Sequence, residues 1–176
     1  RELVALGANV NASNQQGQSP LMLAACEDDS GDCVRALLLL GADVQACDNG
    51  SETALYMAAR HSRLGAVKAL LEAGAPVSTG DARGILLNTA LHITVATTGN
   101  MEVVQALLSA GAEPNSRDEN GYTPSQLASR SGKVELELLL RHAELQVGAR
   151  QCTAGSSLPP RIYSYTSRGW LHDLWE

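Results

Sequence analysis

The sequence predicts an all-α solenoid, a row of helix-turn-helix units that repeat one pattern. A phrase that opens with Ser or Thr and continues through small and apolar residues occurs four times, and its first residues lie 34, 36 and 34 positions apart. Each phrase is followed by apolar residues at helical spacing, and a Gly-Ala dipeptide recurs at a similar interval. The four phrases begin at Ser19, Thr53, Thr89 and Thr123.

The first helix of each unit is predicted to begin at this phrase. In Thr123-Pro124 the hydroxyl can cap a helix, and proline fits the first helical turn. An inward-facing leucine follows in three of the units, and the small residues after it allow neighbouring helices to approach closely. These leucines are Leu21, Leu55 and Leu91, and the small residues include Ala24, Ala25, Ala58 and Ala59.

The second helix of each unit is predicted from a stripe of Val and Leu residues spaced three and four apart, which places them on one helical face. Each of these helices stops at a Gly-Ala pair, because glycine tolerates the left-handed backbone of a helix end. The stripes are Val34, Leu37 and Leu38; Val67, Leu70 and Leu71; and Val104, Leu107 and Leu108. The glycines are Gly7, Gly41, Gly74 and Gly111.

Two longer stretches make the pattern specific. Residues 118–124 (DENGYTP) and 99–112 (GNMEVVQALLSAGA) resemble the loop, first-helix start, second helix and exit turn of the ankyrin repeat. The resemblance covers residues 1–143 and implies short β-hairpin-like finger loops between the units. It also implies a protein-binding array rather than an enzyme. The predicted units are a partial repeat at 1–13 and full repeats 1 to 4 at about 14–47, 48–78, 79–115 and 116–143.

Three departures from a regular repeat stand out. An acidic insertion at 27–32 separates the helices of repeat 1, where Asp28 and Asp29 are expected to be solvated. The loop at 78–88 is longer than the others, and its Ile85, Leu86 and Leu87 either pack back on repeat 3 or form an exposed apolar contact for a partner. In repeat 4, Ser125 and Gln126 are expected to give the last unit a polar outer face.

Residues 144–176 are predicted to be a linker followed by an aromatic tail. Both tryptophans lie here, and Trp170, Leu171, Leu174 and Trp175 would share one face of a short helix. The tail could dock on the last repeat, serve as a free peptide for another protein, or be non-native sequence. Because the chain begins inside a repeat at Arg1, we expect a fragment of a longer protein.

Composition and charge exclude several classes of function. The net charge of −6 gives no basic stripe for nucleic acid, and no apolar run approaches the length of a membrane span. The four cysteines show no paired spacing, which favours reduced thiols and a cytoplasmic location, with the nucleus as the alternative.

The sequence contains neither a nucleophile elbow, nor a phosphate-binding loop, nor a metalloprotease helix motif. His92 occupies the histidine of the family's Thr-Pro-Leu-His phrase, where the resemblance implies a structural hydrogen bond. We therefore expect no enzyme activity, no cofactor, no metal site and no small-molecule substrate.

The predicted function is protein binding, as an adaptor or scaffold, through the surface formed by finger loops and first helices, which is concave in the family. We call it the finger surface. Two alternatives stay open: the substrate-recognition part of a ubiquitin ligase of the ankyrin-SOCS-box kind, with the box missing or altered, and a structural spacer. The candidate binding residues are Gln15, Gln16, Gln18, Glu27, Asn49, Glu52, Arg60, His61, Ile85, Leu86, Leu87, Asn88, Glu119, Tyr122 and Arg130.

Two asparagines resemble the finger-loop asparagine that an oxygen-dependent hydroxylase modifies in many ankyrin proteins. Asn11 and Asn115 each lie eight residues after a leucine, Leu3 or Leu107. Pro114 departs from the usual aliphatic residue, so Asn11 is the better candidate for hydroxylation. The alternative for either asparagine is a structural one, a side chain that bridges adjacent finger loops.

Overall fold

A computed structural model describes residues 7–77 and 89–153 and confirms the all-α class. The described residues form helices in pairs, one pair for each full repeat, and the finger loops contribute an isolated antiparallel bridge between Cys47 and Thr53. The helices are α1 (Pro20–Glu27), α2 (Asp32–Leu39), α3 (Ala54–Arg60), α4 (Leu64–Glu72), α5 (Ala90–Ala96), α6 (Met101–Ser109), α7 (Pro124–Arg130) and α8 (Val134–Thr153).

The first helix of every repeat begins where the sequence predicts. The Thr123 hydroxyl accepts the backbone N–H of Gln126, and the Gln126 side chain accepts the backbone N–H of Thr123 at 3.0 Å, which completes a capping box. Ser19 caps α1 in the same way, with Pro20 in its first turn. Thr53 and Thr89 cap α3 and α5 through their hydroxyls.

The core lies between the two helices of each repeat and between successive repeats. Leu21, Leu55 and Leu91 are each 1% exposed, and the valines of the predicted stripes are fully buried. Every first helix packs on the next first helix, and α2, α4 and α6 pack on the first helices of their own repeats, so no pair buries its apolar face alone. Leu70 and Leu107 of the predicted stripes are also fully buried. The other stripe leucines are partly buried and pack against this core; they are Leu37, Leu38, Leu71 and Leu108.

The acidic insertion is not the solvated loop that the sequence predicted. Asp28 is half-buried, and its carboxylate accepts the backbone N–H groups of Gly31 and Val34 at 3.0 Å each, which caps α2. Burial opposes ionisation, but the bonds from the Val34 backbone, the Ser30 hydroxyl and the Gly31 backbone lower the pKa of Asp28 below its ordinary value. Asp29 is exposed and pairs with Arg63 at 2.9 Å.

This insertion also lies directly against the next repeat. The backbone N–H of Gly65 donates to the Asp29 carbonyl at 3.2 Å. A Cβ atom on Gly31 would overlap the Gly65 carbonyl, and one on Gly65 would overlap the backbone of Asp29 and Ser30. Both positions therefore require glycine, because two main chains meet there.

The last repeat differs from its prediction in two ways. Ser125 is buried rather than on a polar outer face, since its hydroxyl donates to the Glu144 carboxylate on α8 at 2.6 Å. Gln126 is exposed, as expected. α8 continues to Thr153, so residues 144–153 are helical where the sequence predicted a linker. One compact unit ends at Glu144, and a second begins at Leu145.

Candidate protein-binding surface

The finger loops that precede the first helices are held by one recurring hydrogen-bond pattern. In repeat 4 the Asp118 carboxylate accepts the backbone N–H groups of Asn120 at 2.9 Å and Tyr122 at 2.7 Å. The backbone N–H of Asp118 in turn donates to the Tyr122 carbonyl at 2.9 Å. Asn14 in repeat 1 and Asp48 in repeat 2 form the same bonds to Gln16, Gln18, Gly50 and Glu52.

This pattern fixes the backbone of three predicted binding residues, Gln18, Glu52 and Tyr122, each of which directly precedes a helix cap. The acceptors Asn14, Asp48 and Asp118 were not among the residues predicted from the sequence. A signal for them was present, since an Asn or Asp stands at the same distance before the cap in these three repeats. Asn and Asp side chains favour such turns because they bond to backbone groups two residues on.

Neighbouring finger loops are joined to each other through Asn49. Its backbone N–H donates to the Gln16 carbonyl at 3.0 Å, and its side-chain amide donates to the Gln15 carbonyl at 3.1 Å. All three were predicted to bind a partner. The structure brings them together, and part of the hydrogen-bonding capacity of Asn49 is used within the array.

Asn11 adopts the structural alternative that the sequence left open. Its side-chain amide donates to the Gly41 carbonyl at 3.1 Å, and its side-chain oxygen accepts the backbone N–H of Asp43 at 2.8 Å. The residue is exposed, so it bridges two repeats at the surface. Asn115 is also exposed. Hydroxylation of either asparagine stays a prediction.

His92 joins repeat 3 to the finger loop of repeat 4. The ring is fully buried, with Nδ1 2.8 Å from the Thr89 hydroxyl and Nε2 3.1 and 3.2 Å from the carbonyls of Ser116 and Tyr122. Burial lowers the pKa of His92 below its ordinary value, opposed by the Tyr122 carbonyl, the Asp118 carboxylate and the Ser116 carbonyl. The hydrogen bond that the resemblance implied is therefore present.

In repeat 2, Arg60 at the end of α3 reaches back to Glu52, which precedes the cap, and the two side chains pair at 3.6 Å. Arg60 remains half exposed. Tyr56 lies beside them, and burial, with smaller contributions from Glu52 and Glu119, raises the pKa of its phenol above the ordinary value.

In repeat 4, Arg130 at the end of α7 reaches back in the same way to Tyr122. The centre of its guanidinium lies 4.6 Å from the centroid of the Tyr122 ring, a cation–π contact. Arg130 is exposed and Tyr122 is half-buried. The structure thus brings Tyr122 and Arg130 together, as it does Glu52 and Arg60.

The other predicted binding residues are spread along the described part of the surface. Glu27, His61 and Glu119 are exposed, and Gln18 is half-buried. The apolar segment Ile85–Leu87 and Asn88 lie outside the described residues, as does the tail from 154 onwards.

A second set of contacts, which the sequence analysis missed, holds the turns between the two helices of a repeat. Lys133 donates to the carbonyls of Val95 at 2.7 Å and Thr97 at 3.0 Å, at the end of the preceding repeat's first helix. Arg63 donates to the Cys26 carbonyl at 2.8 Å at the corresponding place on repeat 1. Both residues stand directly before the second helix of their repeat, and this shared position was a usable signal. A cation there can reach carbonyls at the C-terminus of the preceding repeat's first helix, where positive charge is favoured.

Two features other than protein contacts, a cluster of metal-binding side chains and a membrane-spanning helix, are absent from the described part of the chain. Among the described residues, no group of three or more His, Cys, Asp or Glu side chains is arranged to hold a metal ion. None of the helices in residues 7–77 and 89–153 is long and apolar enough to cross a membrane. The exposed groups include amides, carboxylates, a histidine and a stacked arginine, which can form hydrogen bonds and ion pairs with another protein.

Comparison with known proteins agrees with this geometry. A family model described as ankyrin repeats (3 copies) matches residues 1–81 and 82–154. The chain is 35% identical over 156 residues to the neurogenic locus Notch protein of Drosophila melanogaster, covering 78% of this chain and 6% of that protein. It is 37% identical over 127 residues to human SH3 and multiple ankyrin repeat domains protein 2, covering 72% of this chain and 7% of that protein.

A third relative is named as an enzyme. The chain is 35% identical over 123 residues to a glycerophosphocholine phosphodiesterase of Schizosaccharomyces pombe, covering 69% of this chain and 10% of that protein. The chain therefore spans only a small part of each of these relatives, and the stretch it shares with them has the length of a few repeats.

Proposed function

This chain belongs to the ankyrin-repeat family, a family of protein–protein interaction modules, and from that premise we propose that it is an adaptor that binds partner proteins through its finger surface. The observation that carries the proposal is the arrangement of exposed polar and aromatic side chains on rigidly held backbone. Glu52, Arg60, Tyr122 and Arg130 stand on loops and helix ends whose positions are fixed by caps and turn bonds.

Rigid presentation favours binding because less conformational entropy is lost when the partner docks. Tyr and Arg are also the residue types that most often dominate interface energies. Partners are expected to be proteins, in the cytoplasm or nucleus, with no small-molecule substrate.

The test compares two variants in their binding to the proteins captured from cytosol by the unmodified chain and identified by mass spectrometry. The double change Arg60→Ala plus Tyr122→Ala should weaken binding of each genuine partner by at least about 2 kcal/mol. Its effect on folding should be small, since neither side chain lies in the core.

The matched control is Lys68→Ala, an exposed position on the second helix α4, which should leave binding unchanged. If the double variant captures the same partners with unchanged affinity, the finger surface is not the recognition surface. If deleting 158–176 abolishes binding instead, the tail is the recognition element, as the free-peptide alternative requires.

A different result would favour the ubiquitin-ligase alternative. Capture of ligase subunits by the intact chain, lost when 144–176 is deleted and kept in the double variant, would assign it to that class. Absence of any specific partner would favour the structural spacer.

A further inference from the structure

Repeats 2 and 4 contain the same two-residue arrangement with different chemistry. In each, an arginine at the last position of the first helix reaches back to the residue directly before the cap. That residue is Glu52 in repeat 2 and Tyr122 in repeat 4. Repeat 2 therefore places an arginine beside a carboxylate, and repeat 4 places an arginine over an aromatic ring, so the two arrangements can be compared within one chain.

The carboxylate in repeat 2 largely neutralises its arginine. Arg60 and Glu52 lie 3.6 Å apart, and Glu52 is half-buried, so a second anion near Arg60 would be repelled by the first. Arg63, three residues on, is paired with Asp29 at 2.9 Å. Lys133 in repeat 4 is occupied by two backbone carbonyls.

Arg130 is in a different situation. The Tyr122 ring holds its guanidinium in place without cancelling its charge, and among the described residues no carboxylate lies within ion-pair distance of it. The ring itself is well positioned, because the Tyr122 backbone donates to Asp118 and accepts from His92. Stacking occupies one face of the guanidinium, while the N–H groups at its edge remain able to donate.

We infer that Arg130 is a carboxylate-binding point on the finger surface, and that the partner presents an Asp or Glu side chain there. An arginine whose orientation is fixed by stacking binds a carboxylate in a planar, two-bond geometry at a smaller entropic cost than a free side chain. This inference rests on the proposed binding function and adds the chemistry of one contact to it.

The surrounding charges are compatible with that assignment. Asp118 is buried, and one of its carboxylate oxygens accepts two backbone N–H groups. Among the described residues it forms no ion pair with Arg130. Glu119 is exposed, and within residues 7–77 and 89–153 it likewise forms no ion pair with Arg130.

The probe is a random peptide library displayed on phage and selected on the full chain. Peptides selected by the unmodified chain should be enriched in Asp and Glu relative to the unselected library. A fluorescent copy of the most enriched peptide should bind the Arg130→Gln variant roughly three- to tenfold more weakly. Its affinity for the unmodified chain should fall with added salt, and fall less for the variant.

Two further variants exploit the comparison between repeats. Tyr122→Glu rebuilds in repeat 4 the arrangement found in repeat 2, so it should weaken the acidic peptide about as much as Arg130→Gln while leaving the arginine present. Glu52→Gln removes the carboxylate beside Arg60 and leaves that arginine able to bind an anion, so it should raise the affinity for the acidic peptide. Lys68→Gln removes a positive charge on α4 and should change nothing. Circular dichroism checks that each variant is folded.

The inference is overturned if the selected peptides lack acidic enrichment, or if Arg130→Gln binds the acidic peptide as tightly as the unmodified chain. If the inference fails in this way but the selected peptides bind the Arg60→Ala variant more weakly than the unmodified chain, the finger surface still binds partners. Only the assignment of a carboxylate to Arg130 then fails. If binding resists every change on this surface, the proposed function fails as well.

Discussion

At the scale of single residues, the buried His92 has the clearest consequence for pH. Carbonyl oxygens can only accept, so Nε2 carries the proton of the neutral ring, and Nδ1 accepts from the Thr89 hydroxyl. A second proton would charge a ring that is fully buried and would remove that acceptor.

We therefore predict that the array loses stability as pH falls below about 6.5, the ordinary value for histidine. Because burial lowers the pKa of His92 in the folded state, the unfolded chain binds more protons in the interval between the two values. The free energy of unfolding should rise with pH across that interval and level off above it. Urea titrations at a series of pH values between about 5 and 8 measure this.

The His92→Gln variant is the control for this prediction, since it removes the titrating group. Its stability should be lower and nearly independent of pH over the same range. Equal slopes for the variant and the unmodified chain would show that another group is responsible. The depressed pKa of Asp28 acts at lower pH: its contribution is present above the unfolded value of 3.8 and is lost as pH falls through the folded value.

A second residue-scale prediction concerns Ser51, which has a left-handed backbone with φ of 62°. Repeats 1 and 4 place Gly17 and Gly121 at the equivalent position, with φ of 81° and 80°. A side chain in this region is strained, so Ser51→Gly should stabilise the protein by about 0.5–1 kcal/mol after the extra freedom of the unfolded chain is subtracted. Chemical denaturation measures the change.

Ser62 provides the contrast, since its φ is 56° but its hydroxyl also bonds to Thr98 in the next repeat. Replacing Ser62 by glycine relieves strain and removes that bond, so its benefit should be smaller than that of Ser51→Gly. A loss of stability in Ser51→Gly would mean that the left-handed conformation is not strained there.

At the scale of helices, the second helix of repeat 3 tests the packing register. Leu107 on α6 is fully buried, and Leu107→Ala should destabilise the protein by roughly 2–5 kcal/mol, as core leucine truncations do. The measurement is the midpoint and slope of urea unfolding. Gln105→Ala on the exposed side of the same helix is the control, with an expected change within about half a kcal/mol.

The helices could be predicted from the sequence because their signals are local. A capping hydroxyl such as Thr123 and a left-handed stop such as Gly111 act within one turn of the chain. The surroundings of Asp28 and Ser125 were predicted wrongly, because they depend on residues beyond the local stretch of sequence. Asp28 caps a helix that starts several residues away, and Ser125 is covered by Glu144 from another helix, which spacing does not reveal.

The candidate binding surface could also be predicted from the sequence only in part. The positions of Glu52, Arg60, Tyr122 and Arg130 followed from the repeat pattern, because the pattern fixes which residues flank each first helix. Their pairing did not follow, since it depends on how far each side chain reaches back along its repeat. Comparing the four repeats position by position would have shown that both arginines occupy one place.

At the scale of the array as a whole, stability comes from contacts between nearest neighbours. Lys133 connects repeat 4 to repeat 3 through two carbonyls at the end of α5, and it is half-buried. Lys133→Met keeps the apolar stem and removes both bonds, so it should cost about 1–2 kcal/mol. Hydrogen exchange should show the loss first in α7 and the start of α8.

The comparison for this prediction is exchange in α1 to α4, which should be little changed, because those helices belong to repeats 1 and 2 and take no part in the altered hydrogen bonds. A uniform increase in exchange across all described helices would instead mean that the array opens as one cooperative unit.

The meeting of the two main chains at Gly31 and Gly65 limits how this array can be recombined. Repeat modules are commonly treated as interchangeable parts, which can be duplicated, deleted or transplanted as long as their helices match. Here the six-residue acidic insertion 27–32 of repeat 1 fits only beside a second repeat that has glycine directly after the first residue of α4. Repeats 1 and 2 must therefore stay together as one unit when they are moved into another array.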